Sequence, residues 1–113
     1  MDCIFCKIAN KEIQSDVIYE DEKVIAFNDN NPQAPVHFLV IPKKHIKSID
    51  DLEEIDKDLV GHIFLVIKKI TTDLGVSDNG YRVVVNTGED AQQSVKHLHF
   101  HVMASRKFSR PAG

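Results

Sequence analysis

The run His97-Leu98-His99-Phe100-His101, continuing into Val102 and Met103, places an imidazole at every second position of an apolar segment. A period of two belongs to extended chain, in which successive side chains leave on opposite faces. The segment therefore predicts a strand whose Leu98, Phe100 and Val102 anchor a sheet to a core while His97, His99 and His101 form a row on the other face. Imidazole, with an ordinary pKa of about 6.5, serves near neutral pH as a nucleophile, an acid or a ligand. At a rise of about 3.3 Å per residue, the outer two histidines have Cα atoms about 13 Å apart, too far for both to join the middle one around a tetrahedral ion. At most two neighbours share a metal. The row better suits one attacking ring, whose tautomer is fixed and whose developing charge is stabilised by the residues beside it.

A chain of 113 residues makes one domain, spanning 1–113, with a core of its own. The formal charge of −3, with Lys and Arg interleaved among Asp and Glu, argues against a nucleic-acid surface, so any phosphate must be bound locally. Met1-Asp2-Cys3-Ile4-Phe5-Cys6 reads as neither a signal peptide nor an anchor, and no hydrophobic stretch is long enough to span a bilayer. The expectation is a soluble, cytoplasmic protein with no membrane partner. Cys3 and Cys6 form a C-x-x-C pair with three readings: buried structural thiols, a redox pair, or half of a zinc site completed by His45 and His97. A reducing compartment disfavours a permanent disulfide, and no βαβ pattern surrounds the pair.

Ile4, Phe5 and Ile8 fit one face of a short N-terminal helix. Val17 to Glu20 and Val24 to Phe27 read as strands joined by a charged turn, hence a hairpin. Asn28 to Pro35 is dense in turn formers and reads as a loop, and His37 to Ile41 as a third strand ended by Pro42. From Asp56 to Leu74 the apolar residues Leu59, Ile63, Val66, Ile67, Ile70 and Leu74 recur at helical spacing, with Asp56 placed as the N-cap and Gly75 just past the end. His62, within that helix, reads as a surface or packing residue. Tyr81 to Val85 is a strand, and a polar loop from Asn86 to Ser94 leads into the histidine run. The order predicts an α+β domain: a five-stranded antiparallel sheet backed by one long helix, with a short N-terminal helix. The loop can aim amides and hydroxyls at an anion, which suits phosphoryl transfer beside a nucleophilic imidazole.

The segment Gln93-Ser94-Val95-Lys96-His97-Leu98-His99-Phe100-His101-Val102 resembles the histidine triad (HIT) motif, and Ala34 to His45 is similar to the corresponding segment of its HINT branch. The resemblance covers nearly the whole chain. It implies a HIT-like fold and a homodimeric purine nucleoside phosphoramidase, a hydrolase acting at the α-phosphorus of an AMP-like substrate through a nucleotidyl-histidine. The related alternatives are a diadenosine polyphosphate hydrolase and a nucleotide-binding protein with little turnover. By position, His99 is implied as nucleophile, His101 as the contact to phosphate and leaving group, His37 as support for His101, and His97 as a structural member whose carbonyl orients His99. Asn86, Gln93 and Ser94 match phosphate or leaving-group positions, and Asp29 matches the carboxylate for the ribose hydroxyls. Ile4, Phe5, Ile8, Phe27 and Leu39 match the slot for the base. Cys3, Cys6, His45 and His97 match a structural zinc site found in bacterial members, while the hydrolysis is expected to use no catalytic metal.

Two departures stand out. Gln92 occupies a place where the family usually has Gly, which puts the path of the phosphate loop in question. The chain ends Lys107 to Gly113 without the Trp that HINT relatives often carry there, so leaving-group preference does not carry over.

Overall fold

The computed structural model describes residues 3–113; Met1 and Asp2, part of the N-terminal stretch read above as no leader, lie outside the described residues. The elements run α1 (Ile4–Ala9), β1 (Val17–Glu20), β2 (Val24–Asn28), β3 (Val36–Pro42), α2 (Lys57–Asp73), β4 (Tyr81–Val84) and β5 (Phe100–Ala104). Single 3-10 turns at Ile49–Asp51 and Glu54–Asp56 precede α2. All four strand pairings are antiparallel and the sheet order is β1-β2-β3-β5-β4. The α+β architecture read from the sequence is the one observed.

Strand alternation divides the core in two. Val24 and Ala26 of β2, Phe38 and Val40 of β3, and Phe100 and Val102 of β5 face the α2 side, where Ile63, Val66, Ile67 and Ile70 meet them. Ile25 and Phe27, with Leu39 and Ile41, face the other way and are covered by Phe5, Ile8 and Ala9 of α1. The middle strands are therefore buried on both faces, which explains their nearly unbroken apolar runs. The face away from α2 is the one that carries the imidazoles.

Three local expectations are revised. The regular strand begins at Phe100, so of the three alternating histidines only His101 lies in it and His97 sits in a bend. Pro42 is the cause: it has no N–H to extend the ladder past the Val40–Phe100 pair, and the Leu98 N–H turns instead to the Ile46 carbonyl at 2.7 Å. The alternation of faces survives, since Leu98 remains in the α2-side core. Asp56 occupies the N-cap position without capping α2 through its side chain; the carboxylate reaches back to the Glu53 N–H (2.9 Å) and takes the Lys44 ammonium (2.6 Å). Leu74 is half exposed rather than part of the buried stripe. Beyond it Gly75, at φ +73°, closes the helix, its N–H bonding Thr72 while the Val76 N–H bonds Thr71, a left-handed stop that suits glycine.

Candidate active site and metal centre

The hydrogen-bond network assigns each imidazole a tautomer. His99 lies 2.7 Å through Nδ1 from the carbonyl oxygen of His97, so Nδ1–H donates and Nε2 keeps its lone pair. Burial holds its pKa below the ordinary value, which keeps the ring neutral and nucleophilic. The Phe5 ring edge, with its centroid 5.1 Å away, limits its movement.

His101 belongs to a second chain of bonds. The Gln33 N–H donates to His37 Nδ1 at 2.9 Å, so His37 carries its proton on Nε2 and donates to His101 Nδ1 at 2.9 Å. That leaves His101 with a proton on Nε2, ready to donate to an acceptor in the cleft. Burial first, then the neighbouring His99 and His37, push the His101 pKa down to about 4 despite the Asp29 carboxylate. Burial likewise lowers His37. Asp29 stands beside the pair, its Oδ2 3.5 Å from His37 Nε2, while its Oδ1 accepts the Asn31 N–H at 2.8 Å.

A cleft of about 250 Å³ opens between α1 and this face of the sheet. Ile4, Phe5, Ile8, Phe27 and Leu39 form its apolar wall, and Asp29, Ser94, His99 and His101 its polar side. Ile4 is nearly half exposed and lines the rim. Thus the structure gathers nine of the residues singled out in the sequence around one cavity, together with Ile13, Gln14, Ser15, Asn28 and Asn30, which the sequence did not mark as site residues. Asn86 and Gln93 do not line it. Asn86 lines a neighbouring depression with Arg82, Val84 and Met103. Gln93 is a buried clip: its amide donates to the carbonyls of Lys47 (2.7 Å) and Val95 (3.0 Å) and accepts the Gly88 N–H (3.0 Å). Gln92 is exposed and adopts φ +62°, the left-handed conformation a glycine would take there, so the loop keeps that path with a larger residue.

Comparison with known proteins places this arrangement. Residues 2–111 match the family model described as "Scavenger mRNA decapping enzyme C-term binding". A histidine triad protein from Clostridium difficile superposes with a TM-score of 0.94 at 53% identity, covering 97% of this chain and 96% of that one. The chain belongs to the histidine triad family. A HIT family hydrolase from Legionella pneumophila is similar at 43% identity and TM-score 0.96 over 99% of this chain and 100% of that one. An uncharacterised HIT-like protein from Synechocystis is 45% identical over 99% of this chain and 97% of its own length.

The third histidine of this triad serves elsewhere. His97 donates Nε2–H to the Pro42 carbonyl at 2.8 Å, which turns the Nδ1 lone pair toward Cys3 Sγ (3.3 Å), Cys6 Sγ (3.5 Å) and His45 Nδ1 (3.2 Å). Cys6 Sγ lies 3.2 Å from His45 Nδ1. The four donor atoms all lie within 4.8 Å of one another, a group able to hold a metal ion. Without a cation, burial and then the adjoining Cys3 push the Cys6 thiol up to about 11.

Proposed function

We propose that the protein is a cytoplasmic nucleotide hydrolase, specifically a purine nucleoside phosphoramidase acting through a nucleotidyl-histidine. The observation that carries this reading is the His99 ring, held neutral by burial and by its bond to the His97 carbonyl, with Nε2 free at a cleft that has an apolar wall and a carboxylate at its mouth. The base enters the wall formed by Ile8, Phe27 and Leu39, and Asp29 accepts the ribose hydroxyls. His99 Nε2 forms a bond to the α-phosphorus as the P–N bond breaks, and the nitrogen, protonated in the reacting phosphoramidate, leaves as the free amine with the bond pair. His101 Nε2–H bonds the phosphate or departing atom, supported by His37. Water then attacks phosphorus and releases AMP, restoring His99. Ser94 contributes a hydroxyl at the cleft, and Gln93 and Asn86 act through the loop that presents it.

We further read the four-donor cluster as a structural zinc site. Tetrahedral zinc with bonds of about 2.3 Å to sulfur and 2.0 Å to nitrogen requires S–N separations of about 3.5 Å and an N–N separation of about 3.3 Å, close to those present. The ion would tie α1 to the sheet, while hydrolysis itself takes place on His99. A homodimer joined at the free edge of β4 fits the sheet order, and Phe64 and Leu65, 50% and 65% exposed on α2, supply apolar surface for it. The deciding experiment is turnover of a fluorogenic adenosine phosphoramidate with His99→Ala and His99→Gly, alongside rapid-quench trapping of labelled nucleotide on the wild-type chain. Loss of about a thousandfold or more in both variants with label on His99 is expected. Full activity in either variant would falsify the nucleophile assignment.

A further inference from the structure

A cluster of cations lies beside the catalytic face and plays no part in the reaction described so far. Arg82 of β4 and Arg106, just beyond β5, each hold a guanidinium carbon 4.1 Å from the ring centroid of Phe108. Lys107 and Arg110 also line the depression of about 470 Å³ around them. Among the described residues no side-chain carboxylate pairs with any of these four cations. Their polar contacts are backbone oxygens: Arg82 bonds the carbonyl of Arg110 and reaches Gly113 O at 3.4 Å, and Arg106 Nε bonds the Gln33 carbonyl at 2.8 Å. In a chain of net charge −3, this is a concentration of positive charge that no side-chain carboxylate among the described residues pairs with.

The sheet register says which way it faces. Val83 and Val85 pack toward α2, so Arg82 and Val84 lie on the opposite face, the face of the histidines. Val84 pairs with His101, and Arg82 with Met103. Arg82 is therefore the diagonal neighbour of His101 on the same face, a separation of about 7–8 Å in a sheet and within reach of a long side chain. A depression lined by Arg82, Arg106 and Phe108 continues along β4 to Asn86, the loop residue that stays out of the nucleotide cleft. Hydrogen bonds make a second link: one residue, Gln33, gives its carbonyl to Arg106 and its N–H to His37, which in turn holds His101.

His101 is the leaving-group side of the proposed reaction. We infer that Arg82, Arg106 and the Phe108 ring form a leaving-group subsite that selects substrates carrying an anion beyond the scissile bond. This inference rests on the nucleotide-hydrolase reading above. Two sources share the chemistry: a phosphate chain, as in a dinucleoside polyphosphate, and a carboxylate borne by the amine of a phosphoramidate. Guanidinium pairs bind both in the same planar, two-pronged manner.

Binding separates this inference from the reading beneath it. AMP and ADP are titrated calorimetrically into the wild-type chain, into Arg82→Gln/Arg106→Gln, and into Arg82→Lys. ADP, whose β-phosphate lies on the leaving side, is expected to bind about tenfold tighter than AMP to the wild type, as for one charge-assisted contact. That advantage should vanish in the double Gln variant and persist in part in Arg82→Lys, with AMP affinity unchanged within twofold throughout. Should the double variant not fold, the wild-type ADP preference must collapse as salt is raised to 0.5 M, where charge contacts at the surface are screened. AMP binding with no ADP preference, or a preference that survives both treatments, overturns the subsite and leaves the hydrolase reading standing. Absence of AMP binding overturns both. Relative turnover of diadenosine triphosphate, an amino-acid phosphoramidate and a phosphoramidate of an uncharged amine then tells phosphate from carboxylate. Equal loss on all three in the double variant would reduce the cluster to an anchor for the chain terminus.

Discussion

Single residues here are tuned by what buries them. His101, folded at about 4 against an ordinary 6.5, faces His99, His37 and Asp29. Between those values the unfolded chain holds a proton that the native chain does not, so stability is complete above pH 6.5 and drains away as pH falls toward 4. Urea unfolding at pH 7.5 and 4.5 should show a loss on the order of 1–3 kcal/mol, with part of the dependence removed in His101→Asn. Gln92 gives the opposite opportunity. A non-glycine residue at φ +62° costs more than the entropy glycine loses, so Gln92→Gly is expected to gain about 0.5 kcal/mol in chemical denaturation and to leave turnover unchanged, the side chain being exposed. A glycine missing from the motif made the loop path doubtful in the sequence; only the backbone angle resolves it, because sequence names a residue and not its φ.

At the scale of elements, the joints matter more than the strands. Asp21 takes the Lys23 and Val24 N–H groups in the β1–β2 turn, the Tyr19 hydroxyl, and His62 Nε2 at 2.7 Å from α2. Burial works against its charge, yet these partners hold the carboxyl at about 2. His62, read as a surface or packing residue, is thus the tie between helix and hairpin. Asp21→Ala should cost about 2 kcal/mol by thermal or urea unfolding, and His62→Ala less, since the turn bonds remain. Gly75→Ala, which forces a Cβ into the left-handed helix stop, should cost about 1 kcal/mol in the same assay. Periodicity revealed α2 and the first four strands within a residue or so, because burial imposes the pattern it reads, but it started β5 three residues early. It did not reveal the Asp21 hub or the Gln93 clip, whose partners are 41 and 46 residues away.

For the molecule as a whole, periodicity made the fold legible, whereas the cleft was legible through the family motif, since its lining is drawn from α1, from loops and from three strands that sequence spacing alone does not bring together. The basic platform beside it was not legible, since Arg82 and Arg106 stand apart in the chain and meet only through the β4–β5 register and Phe108. The four-residue group able to hold a metal lay between these cases, half of it a recognisable C-x-x-C and half distant imidazoles. On the proposed zinc reading, a strong chelator, or Cys6→Ser, should lower the melting temperature by about 10 °C or more. It should depress kcat more than KM, because the carbonyl that orients His99 belongs to His97, itself a member of the cluster. His97 faces two ways, with its side chain on residues 3, 6 and 45 and its backbone on residue 99. With a metal held there as proposed, the setting of residue 99 would be tied to the first turn of α1, some ninety residues before it in the chain.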